Sequence, residues 1–347
     1  MSLQNKKSPK VSVIIPVYRS EKYIIECIDS LLNQTLKDIE VIVVDDHGDD
    51  NSISLIKEYI KNHERKEIFR FIATKTNSGP GIARNAGLEI AEGEYIAFLD
   101  SDDKASPSMY EELYNMAKLQ SADICYCHIQ QVDVTGKSIG ILRNQQTSQG
   151  IFTQKEKRHL LVNFVAYLWS YIYRRDFLQT NFILFPPEKS SEDSYFLTCC
   201  LMCAKRIAYV DKYLYHYRHI ENSLSHRKND KRYLDKLSVF KRLFQFEVER
   251  GLTDYSDELQ FIYLKKAYIL GCIEYLKNTS HPQINILKDI YRDLLTTIPN
   301  YRQNRYYKSS IKARTLVVFL KHMPYMTIVI FQILIKIIEK KRKNNST

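Results

Sequence analysis

Glycine is missing where a dinucleotide-binding fold would need it. The first strand-to-helix turn, Pro16-Val17-Tyr18-Arg19-Ser20-Glu21, contains none, which argues against the G-x-G-x-x-G turn that cradles a pyrophosphate. No G-x-x-x-x-G-K-S/T stretch occurs, so a P-loop is excluded as well. Long apolar runs are also lacking. The most hydrophobic segments, 315–320 and 323–338, are broken by Lys321, His322, Pro324 and Lys336, and fall short of the roughly 20 residues a spanning helix requires. Seven cysteines, at 27, 125, 127, 199, 200, 203 and 272, form an odd set with no signal peptide before them. This predicts a reduced, cytoplasmic setting. Cys200-x-x-Cys203 and Cys125-x-Cys127 lack a second ligand pair at zinc spacing. No repeat of solenoid period is present, and low complexity is confined to 340–345.

Acidic residues are scarce in one place only. From Tyr301 onward there are eleven Lys or Arg against the single Glu339, leaving +1 of the net +11 for residues 1–300. The charge excess is therefore a property of the tail, where basic and apolar residues alternate. That combination predicts interfacial helices on an anionic cytoplasmic leaflet, with packing on the protein or a second subunit as the plainer reading. The apolar content is excessive for a nucleic-acid-binding arm and no such module is recognisable, so no nucleic-acid partner is expected.

What is present begins with a β-α-β-α succession. Residues 11–17, 39–44, 69–73 and 95–99 are short apolar runs rich in β-branched and aromatic residues, the mark of buried parallel strands. Between them, 21–32, 52–60 and 82–91 show helical spacing, with Ile24, Cys27, Ile28, Leu31 and Leu32 along one face. An α/β fold follows. With 44% hydrophobic residues over 347 positions, sizeable cores and about two domains are expected. Residues 229–298 read as helices, one face carrying Leu234, Leu237, Phe240, Leu243 and Phe244, another Phe261, Leu264, Ala267, Tyr268 and Gly271.

The fourth apolar run delivers Asp100-Ser101-Asp102-Asp103 to its carboxyl end with nothing nearby in sequence to neutralise it. Ligands of open α/β sheets bind at such ends, and hard oxygen ligands suit Mg²⁺ or Mn²⁺ carrying substrate phosphates. The plainer reading is that Asp102 and Asp103 cap a helix beginning near Ser106. Strand 39–44 ends at the same edge in Asp45-Asp46, whose carboxylates can accept hydrogen bonds from a base or ribose. Asn77-Ser78-Gly79-Pro80-Gly81-Ile82-Ala83-Arg84-Asn85-Ala86-Gly87 opens a helix whose amino end, with Arg84, favours an anion. Glu192-Asp193 serves either as a carboxylate pair for proton transfer or as an acidic first helical turn. Trp169, the only tryptophan, either stacks on a sugar or fills the core, and His216 is either a structural histidine or a phosphate or metal contact.

Taken in order and spacing, Val11–Tyr18, Val43-Val44-Asp45-Asp46, the Asn77–Gly87 stretch, Gly93-Glu94-Tyr95-Ile96 and Asp100–Asp103 resemble inverting family-2 glycosyltransferases of the GT-A fold, of the bacterial polysaccharide and lipooligosaccharide type. The likeness is close over 11–104, looser through Trp169–Arg175, Ser191–Phe196 and Tyr213–Ser225, and slight beyond. It implies a mostly parallel nucleotide-binding sheet flanked by helices, with a nucleotide-sugar-binding half at 1–104 and an acceptor half at 105–225; periodicity and charge add a C-terminal helical extension at 226–300 and a basic amphipathic tail at 301–347, a candidate for membrane association. Under it, Asp45 or Asp46 would recognise the base, Arg84 would help hold the nucleotide, and Asp100 would touch ribose or metal. Asp102 would be the chief ligand of Mn²⁺ or Mg²⁺, and Asp193, with Glu192 beside it, the catalytic base. Pro16, Tyr18, Glu21, Asn77, Gly79 and Ser101 would complete the nucleotide site. His216 or Arg218 would approach the diphosphate from the far side, His216 also as a metal ligand, with Trp169 near the acceptor. The family's glycine before the acidic pair is Ser191 here.

The expected activity is transfer of a sugar from a nucleoside-diphosphate donor, a UDP-sugar, to a hydroxyl of a growing cell-surface glycan or lipid-linked saccharide, peripherally on the cytoplasmic face of the inner membrane. Two other classes fit parts of the pattern: a nucleotidyltransferase, which would release pyrophosphate, and an inactive sugar-nucleotide-binding scaffold at the membrane.

Overall fold

The computed structural model describes residues 8–144, 149–151, 153–165, 167–220 and 232–330. The chain divides into two compact units, Met1–Glu221 and Asn222–Thr347.

The first unit is built on one ten-stranded sheet. Strands β1 (Val11–Val17), β2 (Ile39–Asp45), β3 (Phe69–Ala73) and β4 (Tyr95–Phe98) are all parallel, in the order β3-β2-β1-β4. Helices α1 (Ile24–Leu32), α2 (Ser52–Ile60) and α3 (Pro80–Ile90) join them. β1 and β2 are buried along nearly their whole length, as expected of strands covered on both faces and rich in Val and Ile. The expected face of α1 is the buried one.

The remainder of this unit extends the same sheet with mixed strand directions. After β5 (Lys104–Ala105) come α4 (Met109–Leu119), β6 (Ile124–Val132), β7 (Ser138–Leu142), β8 (Gly150–Ile151), α5 (Gln154–Asn163), β9 (Tyr171–Arg174), α6 (Arg175–Thr180), α7 (Glu192–Cys203) and β10 (Arg206–Arg218). β9 lies antiparallel between β4 and β6, and β10 runs parallel to β6. The two halves expected at 1–104 and 105–225 thus share a continuous sheet. Phe98 seals the junction, its ring meeting Tyr173, Phe185 and Phe196 at 5.2–5.9 Å.

The second unit is helical: α8 (Arg232–Glu249), α9 (Ser256–Ile262), α10 (Leu270–Asn278), α11 (Ile284–Thr297), α12 (Arg305–Ser309) and α13 (Ile311–His322), followed by Pro324–Ile330. Leu237, Phe240 and Leu243 are buried as the periodicity predicts, whereas Leu234 is exposed. Tyr263–Ile269 is wound as a π-helix, so the period of 3.6 read across 261–271 is broken by its wider turn. The predicted apolar stretch 323–338 is described only as far as Ile330. None of the seven cysteines is in a disulfide.

Candidate active site

The chain leaves β1 for β2 on one side, and β4 returns on the other. This is a topological switch point, where the carboxyl ends of strands open a crevice. Asp100–Asp103 follow β4 directly into it. Their three carboxylates meet different fates. Asp103 is buried, accepting the Tyr215 hydroxyl at 2.7 Å and the Arg218 backbone N–H at 2.7 Å; burial, then the charges of Asp102 and Asp100, push its pKa well above the usual carboxylate value. Asp100 takes a 2.8 Å ion pair from Arg84. Asp102 makes no salt bridge among the described residues, and burial together with Asp100 pushes it up to about 6. None of the three caps α4; Ser108 precedes that helix, its hydroxyl turned to Glu112.

Arg84, expected to help hold the nucleotide, is engaged by carboxylates within the protein. Its guanidinium is buried and spans Asp100 and Glu192, the latter at 3.0 Å, with the Phe185 ring 5.4 Å away. It binds the chain's own carboxylates, joining the end of β4 to the start of α7. A strap before α7 lies over the amino end of α3: the Asn85 side chain donates to the Phe185 carbonyl and accepts the Phe185 N–H, both at 2.9 Å. Lys189 donates to the carbonyl and side-chain oxygen of Asn77 at 3.0 Å. Gly81 permits this approach, since a Cβ there would lie 3.1–3.2 Å from Glu192, Phe185 and Pro186.

The strap ends at Ser191, which sits at φ +68°, a left-handed conformation that glycine adopts freely and serine only under local strain. The family's glycine at this place is thereby explained. Glu192 and Asp193 then open α7. Glu192 is buried; desolvation and the neighbouring Asp193 push its pKa up to about 7, against the pull of Arg84. Asp193 is half-buried. The pair forms the acidic first turn of α7, and its two carboxylates have separate environments.

Asp45 and Asp46 divide similarly. Asp46 is buried and fastens the following loop, accepting Thr74 Oγ1 at 2.9 Å, Ser78 N–H at 2.8 Å and Gly79 N–H at 2.8 Å. Asp45, half-buried, accepts the His47 N–H at 2.9 Å. The loops after β1 and β2 meet here, with Arg19 and His47 at φ +51° and +54°. Arg19 grips Asp49 at 2.5 and 2.7 Å and lies 5.2 Å from the Tyr18 ring. Ser101 meets Ser20 at 2.5 Å. Pro16 and Tyr18 are half-buried, Glu21 and Asn77 exposed, and Gly79 is buried at the start of α3.

His216, Arg218 and Trp169 each meet partners within the protein. His216 Nε2 is hydrogen-bonded to Ser106 Oγ at 2.7 Å, within the β10–β5 pairing. Burial and Lys104 hold it below the usual histidine value. Arg218 is a buried strut, bound to Glu26 at 2.7 Å and to the carbonyls of Asp102 and Val134 at 3.0 Å, with Tyr23 at 4.6 Å. Its donors are thus engaged by the fold. Trp169 is stacked among Tyr215, Tyr217 and Tyr167 at 4.5–5.4 Å and belongs to the core. Asn85, Phe185 and Tyr215 escaped the sequence reading as site-building residues, although Asn85 lies inside the motif beside Arg84.

The carboxylates fit a divalent cation in a restricted way. Among the described residues Asp102 makes no ion pair, and a carboxylate raised by burial and a like charge gains from a cation. Among the described residues no group of three or more His, Cys, Asp or Glu could hold a metal. Asp102, with Asp100 beside it, would therefore hold the ion jointly with substrate phosphates, as Mg²⁺ prefers.

Comparison with known proteins bears on this geometry. The family described as Glycosyl transferase family 2 matches residues 12–182. EpsH of Bacillus subtilis, named a glycosyltransferase, is 31% identical over 262 residues, covering 73% of this chain and 74% of its own. EpsJ of the same organism, also named a glycosyltransferase, is 34% identical over 221 residues, 62% of this chain; the match spans just under two thirds of its own length, 63%. In structure, residues 1–349 of Staphylococcus aureus TarS in complex with UDP-GlcNAc superpose with a TM-score of 0.59 at 23% identity, covering 86% of this chain and 91% of that one.

Proposed function

Because this chain belongs to glycosyl transferase family 2 and is a glycosyltransferase, we propose that it is a metal-dependent inverting enzyme moving a sugar from a UDP-sugar to a hydroxyl of a growing cell-surface glycan or lipid-linked saccharide. The observation that carries this reading is the Asp100–Arg84–Glu192 bridge, which ties the carboxylates at the end of β4 to the helix turn bearing Asp193. A donor-binding edge and a base are thereby held in one assembly. The UDP complex of a protein with the same fold supports the choice of nucleotide.

In this reading Asp45 reads the nucleotide while Asp46 holds the loop beneath it. Asp102 and Asp100 would hold the Mn²⁺ or Mg²⁺. The ion, when bound, offsets negative charge developing on the departing phosphate. Asp193 accepts the proton of the acceptor hydroxyl as that oxygen bonds to the anomeric carbon and the bond to the phosphate breaks. Attack opposite the leaving group inverts the carbon. Glu192 is a positioning residue: its contact with Arg84 fixes the turn from which Asp193 projects.

The test is nucleoside diphosphate release from a panel of sugar nucleotides with Mn²⁺, Mg²⁺ or EDTA, with and without acceptors. One donor should turn over only with metal, and Asp193→Asn should abolish turnover while retaining donor binding. Pyrophosphate release would identify a nucleotidyltransferase, and near-normal turnover by Asp193→Asn would remove the base assignment.

A further inference from the structure

The end of the helical unit carries an outward face that its own core does not use. In α13 the inward residues are Ala313, Val317 and Leu320. At about 100° per residue these lie on one side, and Ile311, Thr315, Val318, Phe319 and His322 lie on the other. All five are exposed, Ile311 at 72%. Lys312 and Arg314, both exposed, flank this stripe on its two sides. The next helix, Pro324–Ile330, is bent 107° from α13. It repeats the pattern, turning Thr327 and Ile328 inward while exposing Tyr325, at 68%, with Met326, Val329 and Ile330.

We propose that this bent pair is a docking surface for an anionic phospholipid bilayer. An apolar stripe of this breadth is costly against water and marks an interaction surface. Its edges identify the occupant. Residues 311–330 contain three Lys or Arg and no Asp or Glu, so the helix pair is complementary to negative headgroups, while the aliphatic stems of Lys312 and Arg314 can lie along the apolar stripe and reach them. Among the described residues neither helix alone is long and apolar enough to cross a bilayer; the two pass that test only together, and the 107° bend breaks such a span. Helices of this kind lie in the interfacial plane. The inference rests on the proposed function only for its purpose, which is to hold the enzyme beside a lipid-linked acceptor.

Binding of the full chain to phosphatidylcholine vesicles, with and without phosphatidylglycerol, tests it. The wild type should bind only the anionic vesicles, and added salt should weaken that binding. Lys312→Gln and Arg314→Gln should each reduce affinity about fivefold, and the pair Ile311→Glu with Val318→Glu should lower it at least about tenfold. Both sites are exposed, so circular dichroism and nucleoside diphosphate release with a soluble acceptor should stay at wild-type levels. Absence of binding to anionic vesicles, or equal binding by wild type and variants, would overturn the proposal. So would a dimer that Ile311→Glu dissociates, which would assign the face to a second copy of the chain. Loss of vesicle binding with intact turnover leaves the catalytic reading standing, and absence of turnover with intact vesicle binding removes only that reading.

Discussion

Replacing Arg84 by Met should destabilise the first unit in a pH-dependent manner that Glu192 controls. The guanidinium is buried between Asp100 and Glu192, and removing one member of a buried ion pair costs about 3–5 kcal/mol, because the other charge is left uncompensated. Glu192 can escape part of this by taking a proton. Its pKa already stands at about 7, from burial and Asp193, and Arg84→Met removes the group that pulls it down. A carboxyl whose folded pKa is raised contributes stability that is present below its unfolded value and lost as pH rises through the folded one, at about 1.4 kcal/mol per pH unit. The Arg84→Met penalty should therefore be near 3 kcal/mol at about pH 8 and smaller by about 1–2 kcal/mol near pH 5. Urea denaturation of wild type, Arg84→Met, Glu192→Gln and the double variant at both pH values closes the cycle. Glu192→Gln alone should cost about 1–2 kcal/mol, since Arg84 keeps Asp100, and the double variant should recover part of the Arg84→Met loss at about pH 8. A penalty equal at both pH values, or no recovery in the double variant, would refute the bridge as the source.

Other expectations concern the separate tasks of neighbouring residues. Asp45→Asn should weaken donor binding in calorimetry with little change in melting temperature, whereas Asp46→Ala, stripping three hydrogen bonds from a buried carboxylate, should lower stability by about 3 kcal/mol. Reversed effects would interchange the two assignments. Asn85→Ala removes both bonds to Phe185 and should lower kcat at least about tenfold with donor KM nearly unchanged; a change confined to KM would contradict a positioning role. In the helical unit, burial and then Glu258 push Glu247 up to about 7. Its contribution is present below the ordinary value of about 4.5 and lost as pH rises through about 7. Glu247→Gln should thus gain about 1–2 kcal/mol at about pH 8 and nothing near pH 4, read by thermal melts across that range.

The parallel strands and the buried face of α1 were legible because burial imposes a period on the residues themselves. The carboxylate edge was legible for the same reason, as the ends of strands are visible where apolar runs stop. Side-chain partners were not. Arg84 reads as an anion binder beside two glycines, and only its meeting with Glu192, 108 positions away, shows that the anion is the protein's own. His216 and Arg218 share a strand with Tyr215, but their different neighbours, Ser106 for one and Glu26 for the other, arise from packing that no local pattern encodes. The helix near Ser106 begins later, at Met109, after Lys104–Ala105 pair with β10 as a strand.

The adjacency of Asp45 and Asp46 has a consequence for how such an enzyme diversifies. Successive residues leaving a strand point in opposite directions, so a single dipeptide separates anchoring from reading. Asp46 keeps the loop to Gly79 in place, and through α3 that loop supports the strap preceding Asp193. Under the proposed function, Asp45 and the exposed His47 can then be exchanged for other side chains without moving Asp193. In that reading new donor preferences are accessible by exchange at the rim, while the residues beneath stay as they are.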